Sequence, residues 1–164
     1  MQNECVSLRD MQPGDLDWLV ERQRVLYAAS DGFNETFGDL VENILQDFLA
    51  TRDPAHDRAW IAVADDQRLG SVFCARTETS GIAQLRLLFT EPEARGLGLG
   101  QRLLSACVDF ARLSGNHTLR LWTHDTHQSA IRLYERNGFK MMASEPVCHF
   151  GQNREQQHWE LQLA

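Results

Sequence analysis

Leu85-Arg86-Leu87-Leu88-Phe89-Thr90-Glu91-Pro92-Glu93-Ala94-Arg95-Gly96-Leu97-Gly98-Leu99-Gly100-Gln101 is the stretch that decides the fold. A run of strand-forming residues is broken at Pro92, and a helical pattern follows with Leu99, Leu103, Cys107 and Phe110 on one apolar face. Between the two, glycines at 96, 98 and 100 remove the Cβ atoms that would keep a diphosphate at a distance. Successive backbone N–H groups can then turn toward one anion, and the positive end of the next helix adds to their field.

Two familiar phosphate loops do not fit. A P-loop needs a lysine and a Mg²⁺-binding hydroxyl after its last glycine, but Gln101 and Arg102 stand there, which argues against nucleoside triphosphate hydrolysis. A dinucleotide fingerprint needs a third glycine, and both registers of the loop miss it, at Gln101 and at Leu103. What remains is Arg-x-x-Gly-x-Gly, read as Arg95 through Gly100. It resembles the pyrophosphate-binding motif of the GNAT superfamily of N-acetyltransferases, which use acetyl-coenzyme A. A second stretch, Ala130-Ile131-Arg132-Leu133-Tyr134-Glu135-Arg136-Asn137-Gly138-Phe139, resembles that family's helix carrying an acid tyrosine. The separation of the two motifs suits one intervening helix and strand.

Outside these motifs, Arg24 to Tyr27, Gly32 to Phe37, Ala83 to Leu88, Leu121 to Thr123, His149 to Gly151 and His158 to Leu161 resemble the acetyltransferase domain found fused to MarR-type regulators. No regulator is expected before it in this chain.

The remaining sequence bounds the answer. With 164 residues, 43% of them hydrophobic, residues 1–164 are expected to form one acetyltransferase-like domain with its own core. A formal charge of −7 opposes sequence-independent binding to DNA or anionic lipid. Cys5, Cys74, Cys107 and Cys148 are widely spaced and read as reduced thiols, mostly in the core, with no metal site. The first residues lack the pattern of a secretory signal, and no stretch has the length of a membrane span, so the expected compartment is the cytoplasm.

Periodicity predicts the order βααβββαβαββ: an α/β fold with a central mixed, mostly antiparallel sheet flanked by helices. Val6–Arg9 reads as a strand, and Pro13-Gly14-Asp15 opens a helix burying Leu16, Leu19, Val20 and Leu26. Asn34 caps a second helix, in which Phe37, Leu40, Val41, Ile44, Leu45, Phe48 and Leu49 form a core stripe. Strands 60–64 and 70–76 flank an Asp65-Asp66-Gln67 turn, and strand 82–90 follows. Helix 98–114, strand 118–123 and helix 129–137 come next, then two short closing strands at 141–143 and 159–163.

The resemblance implies a site. Acetyl-coenzyme A would lie along the strand from Leu85, its pantetheine pairing with main-chain groups of Leu88, Phe89 and Thr90, and its diphosphate held by Arg95, Gly96, Leu97, Gly98, Leu99, Gly100 and Gln101. A backbone N–H near Leu88 would receive the oxyanion, and Tyr134 would protonate the departing sulfur. Tyr27, Phe33, Glu35 and Trp122 are candidates for the acceptor pocket. The base is open: many relatives place a carboxylate where this chain has Gln84, which leaves Glu35, His124, Asp125 and His127. His127 also stands where many relatives carry a cofactor-contacting asparagine. The implied reaction moves an acetyl group to a primary amine of a small molecule or peptide by direct attack in a ternary complex, with no metal. A homodimer is compatible with the resemblance. Cys74 and Cys107 fall in apolar patterns, which disfavours a covalent thiol intermediate. A rival reading is a non-catalytic sensor that binds acetyl-coenzyme A.

Overall fold

The computed structural model describes residues 6–163, so Cys5 lies outside the described residues. Its element order is β1 (Ser7–Asp10), α1 (Leu16–Asp31), α2 (Thr36–Thr51), β2 (Arg58–Ala64), β3 (Gln67–Arg76), β4 (Ile82–Thr90), α3 (Leu99–Leu113), β5 (Thr118–His124), α4 (Gln128–Arg136), β6 (Lys140–His149) and β7 (Gln152–Gln162). That is the expected succession, with short 3₁₀ turns before α1 and α3. The strands form one seven-stranded sheet ordered β1-β2-β3-β4-β5-β7-β6, antiparallel except where β4 runs beside β5.

Local chemistry explains most of these elements. Val41, Leu45 and Phe48 recur at helical spacing and bury one side of α2, as Leu99, Leu103 and Cys107 do for α3. Gly32 closes α1 in a left-handed conformation, its N–H donating to the Ala28 carbonyl. Asp65 and Asp66 both have positive φ, the geometry that joins β2 to β3 through a two-residue turn.

The sheet separates two cores. On one face, Leu19 of α1 and the α2 stripe pack on Ile61, Phe73 and Phe89. On the other, α3 and α4 cover Leu85, Leu119, Leu121 and Trp159. Leu40 departs from the expected core stripe and is 43% exposed. The helix meets only one flat layer, and Leu40 falls off the arc set by Val41, Leu45 and Phe48.

The closing strands are also much longer than expected, running from Lys140 to Gln162 as a single hairpin. Polar residues such as Gln152, Glu155 and Gln157 hide the pattern, and the turn is made by Phe150 and Gly151, both at positive φ. Phenylalanine is a poor turn former, so tertiary contacts hold it there. The Asn34 N–H donates to the Phe150 carbonyl, and the Phe150 ring lies 4.9 Å from Phe33 and 5.0 Å from Phe37. The hairpin tip is thereby fastened to the α1–α2 connection.

Candidate active site

Strand β4 is irregular where the site forms. Ser71 faces Phe89 and Phe73 faces Arg86, so Val72 is matched by two residues, Leu87 and Leu88. Leu87 carries the strain of this bulge at φ +52°, and the buried Ser71 hydroxyl donates to its carbonyl at 2.7 Å. Parallel pairing of β4 with β5 extends only from Ile82 to Gln84. Beyond it the two strands part, which frees the β5-facing edge of Leu88, Phe89 and Thr90 to meet a ligand backbone.

A cleft of about 560 Å³ opens at that divergence. Leu88, Phe89 and Thr90 form one wall, and Arg95, Gly96, Gly98, Leu99, Gly100 and Gln101 form the end. A Cβ added at Gly96 or Gly98 would meet no atom within 4 Å; that space is open to a ligand. Both glycines have positive φ, so any side chain there also strains the backbone. Helix α3 starts with no side-chain cap, and its first intrahelical bond within the motif runs from the Arg102 N–H to Gly98. The N–H groups of Leu99, Gly100 and Gln101 therefore precede any helical acceptor, as an anion site requires. Leu97 is half-buried in the same loop.

Neighbouring elements brace the loop. Arg22 of α1 makes a two-pronged contact with buried Glu91, both distances 2.7 Å. The side chains of Gln101 and Asn137 exchange hydrogen bonds, tying the start of α3 to the end of α4. Gln101 therefore has only its main chain to offer a phosphate.

Tyr134 is buried, 4% exposed, with its ring 5.5 Å from Phe139, and it is not among the residues that line the cleft, although Leu133 and Arg136 of the same helix are. Burial, with Tyr27 and Cys107 next to it, pushes its phenol well above the ordinary tyrosine value. Such a group keeps its proton throughout the neutral range, the state an acid needs. Tyr27 lines the cleft and is pushed up to about 12, first by burial and then by the Asp31 charge.

The other acceptor-pocket candidates are dispersed. Phe33 is buried in the aromatic cluster that holds the hairpin tip. Glu35 is exposed at the start of α2. Trp122 lies on β5, stacked 4.6 Å from His158 and beneath the Arg120 guanidinium.

Of the four candidate bases, His127 alone lines the cleft among the described residues. Its Nε2–H donates to Asp31 Oδ2 at 2.6 Å, and Nδ1 meets the Thr123 hydroxyl at 3.2 Å. Burial by itself would raise the Asp31 carboxyl, but the hydrogen bond and charge of His127 hold it below the usual range. His124 is pushed down to about 4 by burial and then by His127 and His149, so it stays neutral. Asp125 is bonded to the Glu155 backbone. Gln84 accepts from Arg120 at 3.4 Å. Asp31 was not visible as a site residue in the sequence: an aspartate before a helix-ending glycine looks like an ordinary turn.

The fold is an α/β sandwich of helices on a mixed sheet, with a cleft where β4 and β5 part and the glycine loop at its end. The model of the acetyltransferase (GNAT) family matches residues 20–139. The chain is 30% identical over 143 residues to an uncharacterized N-acetyltransferase of Schizosaccharomyces pombe, covering 84% of this chain and 82% of that one. It is 23% identical over 139 residues to an uncharacterized N-acetyltransferase of Methanocaldococcus jannaschii, covering 82% of this chain but only 60% of that relative's length. Its fold is that of a Salmonella typhimurium acetyltransferase solved with acetyl-CoA, at TM-score 0.78 and 23% identity over 98% of this chain and 95% of that one. The chain belongs to the GNAT acetyltransferase family.

Proposed function

We propose that this chain is an acetyl-coenzyme A-dependent N-acetyltransferase that acts on a primary amine by direct attack in a ternary complex. The observation that carries this reading is the single cleft joining the bulged edge of β4 to the glycine loop and the start of α3. Arg95 and the loop amides hold the diphosphate, and the main chain of Leu88 to Thr90 pairs with pantetheine. As the amine nitrogen bonds to the thioester carbon, the Leu88 N–H receives the negative charge on oxygen. The carbon–sulfur bond breaks, Tyr134 gives its proton to the sulfur, the nitrogen sheds its extra proton to solvent, and solvent returns a proton to the tyrosine. The acceptor is a small-molecule or peptide amine, and the protein works in the cytoplasm. Its subgroup, on the motif resemblance, is that of the acetyltransferase domain found fused to MarR-type regulators.

Calorimetry with acetyl-coenzyme A, beside a Gly98→Glu variant, tests the donor site. One-to-one binding that the variant loses supports the reading; absence of binding by folded protein overturns it.

Gln84 favours a second reading, a sensor without turnover, because an amide tied to Arg120 stands where the family resemblance implies a base. Tyr134→Phe separates the two. An enzyme keeps acetyl-coenzyme A binding and loses about 10²-fold or more in turnover, whereas a sensor has no turnover to lose.

A further inference from the structure

The sheet face turned toward α1 and α2 carries a feature that donor binding does not use. Arg86 lies two positions before Leu88, on the strand that bears the bulge. Its cross-strand neighbour is Phe73, which belongs to the core under α1 and α2, so Arg86 stands on that face. Gln84 and Arg120, paired across β4 and β5, share it, and their side chains are hydrogen-bonded. Trp122 follows Arg120 at the next same-face position on β5, 40% exposed. Two guanidinium groups and an aromatic plate thus gather beside the bulge in a chain whose formal charge is −7.

The charges are not balanced locally. Arg120 is held by Glu78 at 3.1 Å. Among the described residues no carboxylate reaches ion-pair distance of Arg86; Asp47 of α2 acts on it only through space. Partial desolvation, and then the positive charge of Arg120, work against the Arg86 cation. Of the other charged groups that the register puts on this face, His158 and Glu160 of β7 contact each other at 3.1 Å, Lys140 of β6 stands opposite Glu160, and His124 and Arg154 lie further along β5 and β7. Arg86 is exposed, has no carboxylate partner among the described residues and shares its face with a second guanidinium, so it is open to an anionic ligand. The planar fork of arginine matches a carboxylate in two hydrogen bonds.

We propose that Arg86, with Arg120 beside it, binds the carboxylate of the acceptor, and that the acceptor is a free amino acid whose amine is thereby set against the thioester at the bulge. This rests on the acetyltransferase reading above and names its substrate class. Trp122 supplies a flat apolar surface for the acceptor's side chain. Arg86 contacts substrate and takes no part in bond making.

The test is thiol release from acetyl-coenzyme A with the twenty amino acids, their carboxamides, short peptides and spermine, for wild type, Arg86→Gln and Arg86→Lys. The wild type is expected to prefer at least one free amino acid over its carboxamide by about ten- to hundredfold in kcat/KM. Arg86→Gln brings that ratio near one, and Arg86→Lys restores part of it. Turnover of carboxamides, peptides or spermine with no preference for the free acid overturns this inference and leaves the acetyltransferase reading standing. If no amine releases thiol, the acetyltransferase reading fails by itself. Calorimetry of the N-acetyl amino acids on the coenzyme A-loaded protein then decides the carboxylate site: binding that Arg86→Gln loses supports it, and no binding overturns it.

Discussion

His127 Nε2 lies 2.6 Å from Asp31 Oδ2, joining the loop before α4 to the last turn of α1 across 96 positions of sequence. Both residues line the cleft, so the contact fixes the distance between two of its walls. The Asp31 side chain is 4% exposed and its partner 20%, and a charged hydrogen bond in that setting stabilises more than a surface pair does.

Asp31→Asn keeps the shape and removes the charge. It is expected to lower unfolding free energy by about 2 kcal/mol in urea melts at neutral pH. Because the folded carboxyl lies below its unfolded value, the stabilisation is present above the unfolded pKa and is lost as pH falls through the folded one. The difference between wild type and variant should therefore shrink in acid.

Ser71→Ala removes the hydroxyl that donates to Leu87 at the bulge and leaves a part-buried carbonyl without that donor. The expected cost is about 1–3 kcal/mol. Since Leu88 presents the oxyanion donor in the proposed mechanism, kcat should fall more than the affinity for acetyl-coenzyme A. Steady-state kinetics beside calorimetry would check this.

Gly70→Ala tests close approach rather than conformational freedom. A Cβ there would lie 2.5 Å from the Phe89 carbonyl oxygen, a backbone atom of β4. The sheet must shift, at about 1–3 kcal/mol, and thermal melting should register the loss.

Asp15 governs acid stability at the other end of the sheet. Its carboxylate is 1% exposed and accepts hydrogen bonds from Arg9, Arg68 and the Gln12 N–H. Burial opposes the charge, yet these donors bring the group down to about 2. A depressed carboxyl stabilises the fold above its unfolded pKa, near 4, and the contribution fades between about pH 4 and pH 2. Half-exposed arginines screen the effect, so Asp15→Asn should cost about 1–2 kcal/mol at pH 7 and little at pH 2, measured by urea unfolding at both.

Much of the fold was legible in the sequence. The spacing of Val41, Leu45 and Phe48 and of Leu99, Leu103 and Cys107 gave helices their buried sides, and the aspartates at 65 and 66 marked their turn. The β6–β7 hairpin was under-read because its residues are largely polar and its turn rests on Phe150, held by Phe33 and Phe37 from a distant part of the chain. In the candidate site, the glycine loop and its helix were legible because their chemistry is contiguous. The Asp31–His127 contact was not, since neither residue carries a local pattern that names the other.

The sequence by itself determined the order of elements, the place of the glycine loop and most of the faces that the helices bury, because periodicity, glycine and proline act over a few residues. Only the tertiary structure decided where β4 and β5 part, that Leu87 bulges under the Ser71 hydroxyl, and that Arg86 and Arg120 share one face. Those relationships depend on which strands become neighbours in the sheet, and strand neighbours are chosen by packing of the whole chain rather than by any local run of residues.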